Sequence, residues 1–106
     1  MSSSHSMTRE ELKALVKRHR ERVAVMKGQL AELPGDWRIL RGRCAAAMRG
    51  MEEAAVWSEE MLCLDEASDR LLEECIKSRF NQEIDYFLML SLELREVLDK
   101  HDGGST

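Results

Sequence analysis

Proline, glycine, β-branched residues and aromatic residues are all scarce in this chain of 106 residues. Pro34 is the single proline, and Gly42 and Gly50 are the only glycines between residues 37 and 101. Sheets are rich in β-branched and aromatic side chains and need turn residues between strands, so the composition argues against a β-sheet protein. Leu, Glu, Ala, Arg and Met dominate instead, which predicts long α-helices. No apolar run exceeds five residues, so we expect neither a transmembrane helix nor a signal peptide.

Cysteine is also sparse, and its pattern excludes a disulfide framework. Cys44, Cys63 and Cys75 are odd in number, widely spaced and contain no CxxC pair, which predicts a reducing setting in the cytoplasm or the nucleus. Each lies among apolar residues, so we expect three small core side chains. The polar ends predict tails: residues 1–7 are a disordered tail or a tag remnant, residues 102–106 are a second tail, and residues 8–101 form the domain.

Charge of opposite sign dominates the two halves of the chain. Residues 1–50 hold eleven basic and five acidic residues, whereas residues 51–106 hold five basic and fifteen acidic residues. Two explanations fit this asymmetry. Either the two halves face each other, within one chain or between copies, or the basic half meets an acidic partner. We favour the first.

The first helix has a clear start and a clear end. Thr8 and Glu11 have the spacing of a capping box, and Pro34 with Gly35 ends the helix. Asp36 then has the side chain of an N-cap for a second helix, which the short connection makes antiparallel to the first. Between these limits a heptad seam recurs at Leu12, Val16, His19, Val23, Met26, Leu30 and Leu33.

The segment of residues 65–70, "DEASDR", leaves two architectures open. Its polarity predicts a turn, with Asp65 or Ser68 as the next N-cap, and this gives an all-α three-helix bundle made of an antiparallel hairpin and a third long helix. The alternative is one unbroken seam through Trp57, Met61, Leu64, Ala67, Leu71 and Cys75. That helix would be about 98 Å long at 1.5 Å per residue and would need an extended coiled-coil dimer to cover it. The turn is favoured.

The densest apolar segment is residues 85–94, "DYFLMLSLEL". Its residues are Leu, Met and Glu rather than β-branched, and no hairpin turn flanks it, so it is predicted to be helical. Five consecutive apolar residues point in every direction around a helix, so one flat neighbour cannot cover them. The segment therefore supplies the predicted interaction residues, which are Tyr86, Phe87, Leu88, Met89 and Leu90.

No constellation of catalytic or metal-binding residues is recognisable. His19 lies on the heptad seam, and the positions where a second ligand would stand hold Arg22 and Val23. Adjacent glutamates such as Glu52 and Glu53 diverge by about 100° on a helix, so they do not converge on a substrate. No glycine-rich phosphate loop or nucleophile elbow is present. We expect no enzyme activity, metal or cofactor.

Two further surfaces are candidates for interaction. The first is a strip of small residues, Gly42, Ala46 and Gly50, where another helix can approach closely. The second is a basic face on the first helix, but the apolar seam runs through it and the whole chain is acidic, which disfavours a nucleic-acid binder. The residues of this basic face are Lys13, Lys17, Arg20 and Lys27.

These patterns predict a non-enzymatic protein–protein interaction module. It is expected to be a helical assembly or scaffold domain in a cytoplasmic or cytoskeletal complex. Its partner is expected to be itself, as a homodimer or higher oligomer, or another helical protein, with no membrane involved. The alternative is that the basic half binds an anionic surface, either an acidic filament or nucleic acid.

Overall fold

A computed structural model of the chain describes the backbone of residues 7–104 and the side chains of residues 7–100. It contains the helices α1 (Arg9–Ala31), α2 (Arg38–Leu62) and α3 (Asp69–Gly104), with no strand in the described part of the chain. The predicted all-α class is confirmed. The molecule measures 55 × 29 × 18 Å, which is a three-helix bundle and not the extended rod. The predicted tails are residues 1–7 and 102–106; of these, residues 1–6 and 105–106 lie outside the described residues, and the backbone of residues 102–104 continues α3.

Helix α1 begins and packs as its sequence predicts. The Thr8 side chain accepts a hydrogen bond from the Glu11 backbone N–H, and the Glu11 carboxylate accepts one from the Thr8 N–H at 2.8 Å. This capping box satisfies two N–H groups that the helix leaves without partners. Met7, predicted to belong to the tail, instead packs against the core, and its N–H donates to Glu73. The whole predicted seam is buried: Leu12, Val16, His19, Val23, Met26, Leu30 and Leu33.

Two ion pairs show the antiparallel register of α1 and α2. Arg20 pairs with Glu59 at 2.6 Å, and Lys27 pairs with Glu52 at 3.0 Å. A step of seven residues forward along α1 therefore matches a step of seven residues back along α2. The predicted hairpin is confirmed, and part of the charge asymmetry is satisfied within the chain. Surface ion pairs of this kind contribute only modestly to stability, so they are evidence for the register of the two helices and not for a large stabilisation of the bundle.

The connection between α1 and α2 differs from the prediction in one respect. Asp36 is not the N-cap of α2; Trp37 holds that position and makes no side-chain capping bond. The reason is that a turn closes from the Trp37 N–H to the Pro34 carbonyl at 3.3 Å, which places Asp36 inside the turn. The Arg41 guanidinium donates to the carbonyls of Leu30, Leu33 and Pro34 and thereby satisfies the end of α1.

The polar segment of residues 65–70 contains the predicted turn, so the unbroken helix is wrong. Helix α2 ends at Leu62, and the Ser68 hydroxyl accepts from the Leu71 N–H at 3.1 Å as α3 begins. The Arg9 guanidinium donates to the carbonyls of Leu62, Leu64 and Ala67, at 2.9, 2.8 and 2.6 Å. The first residue of α1 therefore binds the backbone that joins α2 to α3.

The core lies along the axis that the three helices share. Helix α3 packs against this axis with one regular stripe of apolar side chains. Helix α2 contributes small side chains, which allow neighbouring helices to approach closely. Gly50 lies beside α3, where a Cβ atom would meet the carboxyl group at the flexible end of the Glu83 side chain. The buried α3 residues are Leu72, Ile76, Phe80, Phe87, Leu90 and Leu94.

Candidate interaction surface

The apolar segment of α3 is divided between the core and the surface. Phe87 and Leu90 are 1% and 0% exposed, because they face the chain's own α1 and α2. The predicted interaction surface must therefore be corrected for these two residues, since a second chain cannot reach them in the folded bundle. Tyr86, Leu88 and Met89 are 42%, 41% and 48% exposed. Their role in interaction stays a prediction, but their accessibility agrees with it.

Leu92 belongs to the same exposed surface and was not predicted. It is 63% exposed and lies one helical turn beyond Leu88, so the two leucines are neighbours on the outer side of α3. Met89 is three residues before Leu92, and these residues lie within about 100° of Leu88 around the helix, whereas Tyr86, three residues before Met89, lies about 160° from Leu88 and flanks the other three. We call these four side chains the α3 apolar patch: Tyr86, Leu88, Met89 and Leu92. Singly exposed apolar residues are common, but a contiguous group on one helix is typical of an interface.

The small-residue strip does not form one surface. Gly42 and Ala46 are exposed, and nothing lies within 4 Å of a Cβ atom placed at Gly42. Gly50 is half-buried against Glu83 of α3. One end of the strip therefore serves the packing of the chain itself, and only the Gly42 end is open to another molecule.

The basic face of α1 is largely matched by acidic residues. Arg20 donates two hydrogen bonds to Glu59, at 2.6 and 2.7 Å, and this bonding lowers the pKa of the Glu59 carboxyl group. Lys27 pairs with Glu52, and Lys13 lies 3.5 Å from Glu10. Lys17 is the one member without an ion pair among the described residues. The face therefore presents less positive charge than its sequence indicates.

An opening of about 540 Å³ lies between α1 and α2 beside this face. Lys13, Lys17 and Arg20 line it above an apolar floor of Val16 and Leu62. Cys63 lies at its edge and is exposed, and Cys75 is half-buried, so the prediction that all three cysteines are core residues is correct only for Cys44.

A larger opening, of about 1210 Å³, lies where the start of α2 meets the end of α3. Ile39, which is 79% exposed, and Trp37 form its apolar part together with Val97. Basic and acidic side chains alternate around it, so the opening carries no dominant charge. The sequence contains no periodic signal for this feature, because Trp37 and Ile39 precede the regular apolar spacing of α2.

His19 is the one buried histidine in the described part of the chain. Its ring stacks on Phe80 of α3 with centroids 4.2 Å apart, and its Nδ1 atom has no hydrogen-bond partner. Burial lowers the pKa of His19, and the positive charges of Arg22 and Arg18 lower it further. His19 is thus a neutral packing residue, and its position in the core confirms the prediction from the seam.

Comparison with family models, curated proteins and solved structures gave no match to this chain. No cluster of His, Cys, Asp or Glu that could hold a metal ion occurs in the described part of the chain. Among the same residues, no helix is both long enough and apolar enough to cross a bilayer.

Burial raises the pKa of the Cys44 thiol, and the negative charge of Glu93 raises it by a smaller amount. The thiol is therefore kept protonated.

Replacing His19 with leucine is expected to reduce the loss of stability on acidification. The pKa of His19 is lowered in the folded state, whereas in the unfolded chain it has the ordinary histidine value of about 6.5. The unfolded chain therefore binds the proton first as the pH falls below about 6.5. The folded parent should therefore lose stability below that pH, and the His19→Leu variant should lose less. Urea unfolding from about pH 8 to about pH 5 measures the difference, since most carboxyl groups titrate below this window. A difference independent of pH would contradict the prediction.

Proposed function

We propose that this chain is a non-enzymatic assembly module that self-associates through the outer side of α3. The observation that carries the proposal is the α3 apolar patch. Its four side chains lie on a helix whose inner side is already covered by α1 and α2, and the fold of one chain leaves 41–63% of each residue exposed to water. Aromatic residues and methionine are enriched at protein interfaces, and the patch holds one of each.

The surroundings of the patch support an interface with protein. Asp85 and Arg95 are exposed on the same side of α3 as Leu88 and Leu92, so an apolar centre is flanked by charge of both signs. The α3 apolar patch holds no cysteine, histidine or carboxylate of its own, which suits a contact surface better than a reaction site. The three free cysteines fit a reducing compartment, such as the cytoplasm or the nucleus.

Replacing Leu88 and Met89 together with glutamate is expected to convert the self-associated chain into monomers that remain helical. Two carboxylates placed in an apolar contact lose hydration without gaining partners, which opposes association. Both positions are exposed in the single chain, so the bundle should be retained. Light scattering across micromolar concentrations measures the mass, and circular dichroism measures the helix content.

The matched control replaces Leu64 and Leu71 with glutamate. These leucines are 50% and 49% exposed, so the control adds the same charge at similar exposure but away from the patch. The control should keep the mass of the parent. A parent that is monomeric throughout the concentration range would overturn the proposal, and so would a Leu88→Glu/Met89→Glu variant with the parent's mass.

The anionic-surface alternative stays a prediction with less support. Its residues Arg20 and Lys27 already pair with acids of α2 and Lys13 lies near Glu10, which leaves Lys17 as the member of the basic face without an ion pair among the described residues. It predicts binding that weakens with salt and with the changes Lys17→Glu and Arg20→Glu.

A further inference from the structure

The outer side of α3 carries a second heptad pattern, opposite the stripe that faces the core. Six exposed residues follow one another at alternating spacings of four and three: Asn81, Asp85, Leu88, Leu92, Arg95 and Asp99. At 100° per residue they lie within an arc of about 80°. This narrow stripe has the geometry of a coiled-coil seam, and we call it the outer stripe.

The order of residue types along the outer stripe indicates which partner, and which orientation of that partner, is complementary to it. Leu88 and Leu92 occupy its centre, an acidic residue precedes them and a basic residue follows them. A second copy laid antiparallel on this stripe places Leu88 opposite Leu92, and Asp85 opposite Arg95. These pairs are symmetric about Leu90: Leu88 and Leu92 are each two residues from it, and Asp85 and Arg95 are each five residues from it. A parallel copy would instead place Asp85 opposite Asp85 and Arg95 opposite Arg95, which is repulsive.

Neither Asp85 nor Arg95 forms an ion pair within the part of the chain that the structure describes. Both charges are therefore available to another molecule. At the ends of the same register, the Asn81 amide of one copy can donate to the Asp99 carboxylate of the other. Every position of the outer stripe thus has a complementary partner in the antiparallel arrangement, and the arrangement is closed by a twofold axis.

We infer that α3 pairs antiparallel with α3 of a second copy, in the register that places Asp85 opposite Arg95; this rests on the self-association proposed above. Four leucines form the apolar centre, and an ion pair closes it at each end. The twofold axis passes the level of Leu90, so Met89 lies beside its own copy at the edge of the contact. Because only two leucine layers are buried, we expect a dissociation constant on the order of micromolar.

Charge reversal tests the register. Asp85→Arg alone places two arginines opposite each other at both ends of the contact, and Arg95→Asp alone does the same with two aspartates. Each single change should weaken the dimer about tenfold. The double variant Asp85→Arg/Arg95→Asp restores both pairs and should dimerise within about threefold of the parent. Sedimentation equilibrium gives the dissociation constants, and circular dichroism verifies that each variant is folded.

The outcomes separate the two proposals. If the parent dimerises but the double variant is as weak as the single variants, the antiparallel register is wrong while self-association stands. If the parent does not associate, both proposals fail. Unchanged affinity in every charge variant would also overturn the register, because the charges would then lie outside the contact.

Cysteine crosslinking provides an independent measurement. In a background with Cys63→Ser and Cys75→Ser, a mixture of the Leu88→Cys and Leu92→Cys variants should form the mixed disulfide on mild oxidation. Each variant alone should crosslink poorly, because its two thiols lie on different levels of the antiparallel contact. Efficient crosslinking of Leu88→Cys with itself would indicate the parallel arrangement and overturn the inference.

Discussion

Replacing Phe87 with alanine is expected to lower the free energy of unfolding by about 3–5 kcal/mol, which is a large part of the stability of a small domain. Phe87 is fully buried beside Leu90, so its removal leaves a cavity that the surrounding helices fill only in part. Leu88 is the adjacent residue in the chain and lies on the surface. The change Leu88→Ala should cost less than about 1 kcal/mol, because little area is lost and alanine is a good helix former.

This pair of neighbours separates the core function of α3 from its interface function. Urea unfolding followed by circular dichroism gives both free energies, at a protein concentration where light scattering finds monomers. Leu88→Ala should weaken self-association more than Phe87→Ala does, because Leu88 contributes to the proposed contact and Phe87 does not. Equal losses of stability for the two variants would mean that the division of α3 between core and surface is incorrect.

Most of helix α1 could be predicted because its local signals agree. The capping box of Thr8 and Glu11 marks the start, a single apolar stripe marks the buried side, and Pro34 follows the end. The turn at residues 65–70 was predictable for a similar reason, since Ser68 can cap a helix only if a helix begins there. In each case a side chain determines the structure of residues within one turn of itself.

The division of α3 was only partly predictable. Near Phe87 the apolar residues surround the axis, so periodicity alone does not say which of them the bundle covers. The inner stripe continues from Leu72 and Ile76 through Phe87 and Leu90, and the apolar residues left over are those on the surface. Leu92 could have been found by this subtraction, because it belongs to no position of the inner stripe.

The arginine contacts at the two turns could not be predicted. Arg9 bonds to Leu62 and Ala67, which are 53 and 58 residues away in the sequence, whereas a capping box spans three. An arginine at the start of an amphipathic helix looks like any other surface cation until the chain has folded. The N-cap of α2 was mispredicted for a related reason, since the turn at Pro34 moves Asp36 away from the helix end.

Replacing Arg9 with alanine is expected to lower the free energy of unfolding by about 2–3 kcal/mol, which is a large effect for a charged residue at the protein surface. Its guanidinium donates to three carbonyls of the turn between α2 and α3 and lies 3.5 Å from Asp69. Without it, carbonyls at the end of α2 lose their charged donor, and water replaces it only in part. Arg9→Lys should recover less than half of the loss, because an ammonium group cannot match the planar fork of donors.

The change Arg18→Ala is the matched control, since Arg18 is exposed on the same helix and makes no hydrogen bond or ion pair among the described residues. It should cost less than about 0.5 kcal/mol. Amide hydrogen exchange adds a local measurement. The Leu71 and Leu72 N–H groups bond to Ser68, so they should exchange faster in Arg9→Ala than in Arg18→Ala if the turn opens. If Arg9→Ala and Arg18→Ala match in both measurements, the turn is held by Ser68 and by helix packing without the arginine.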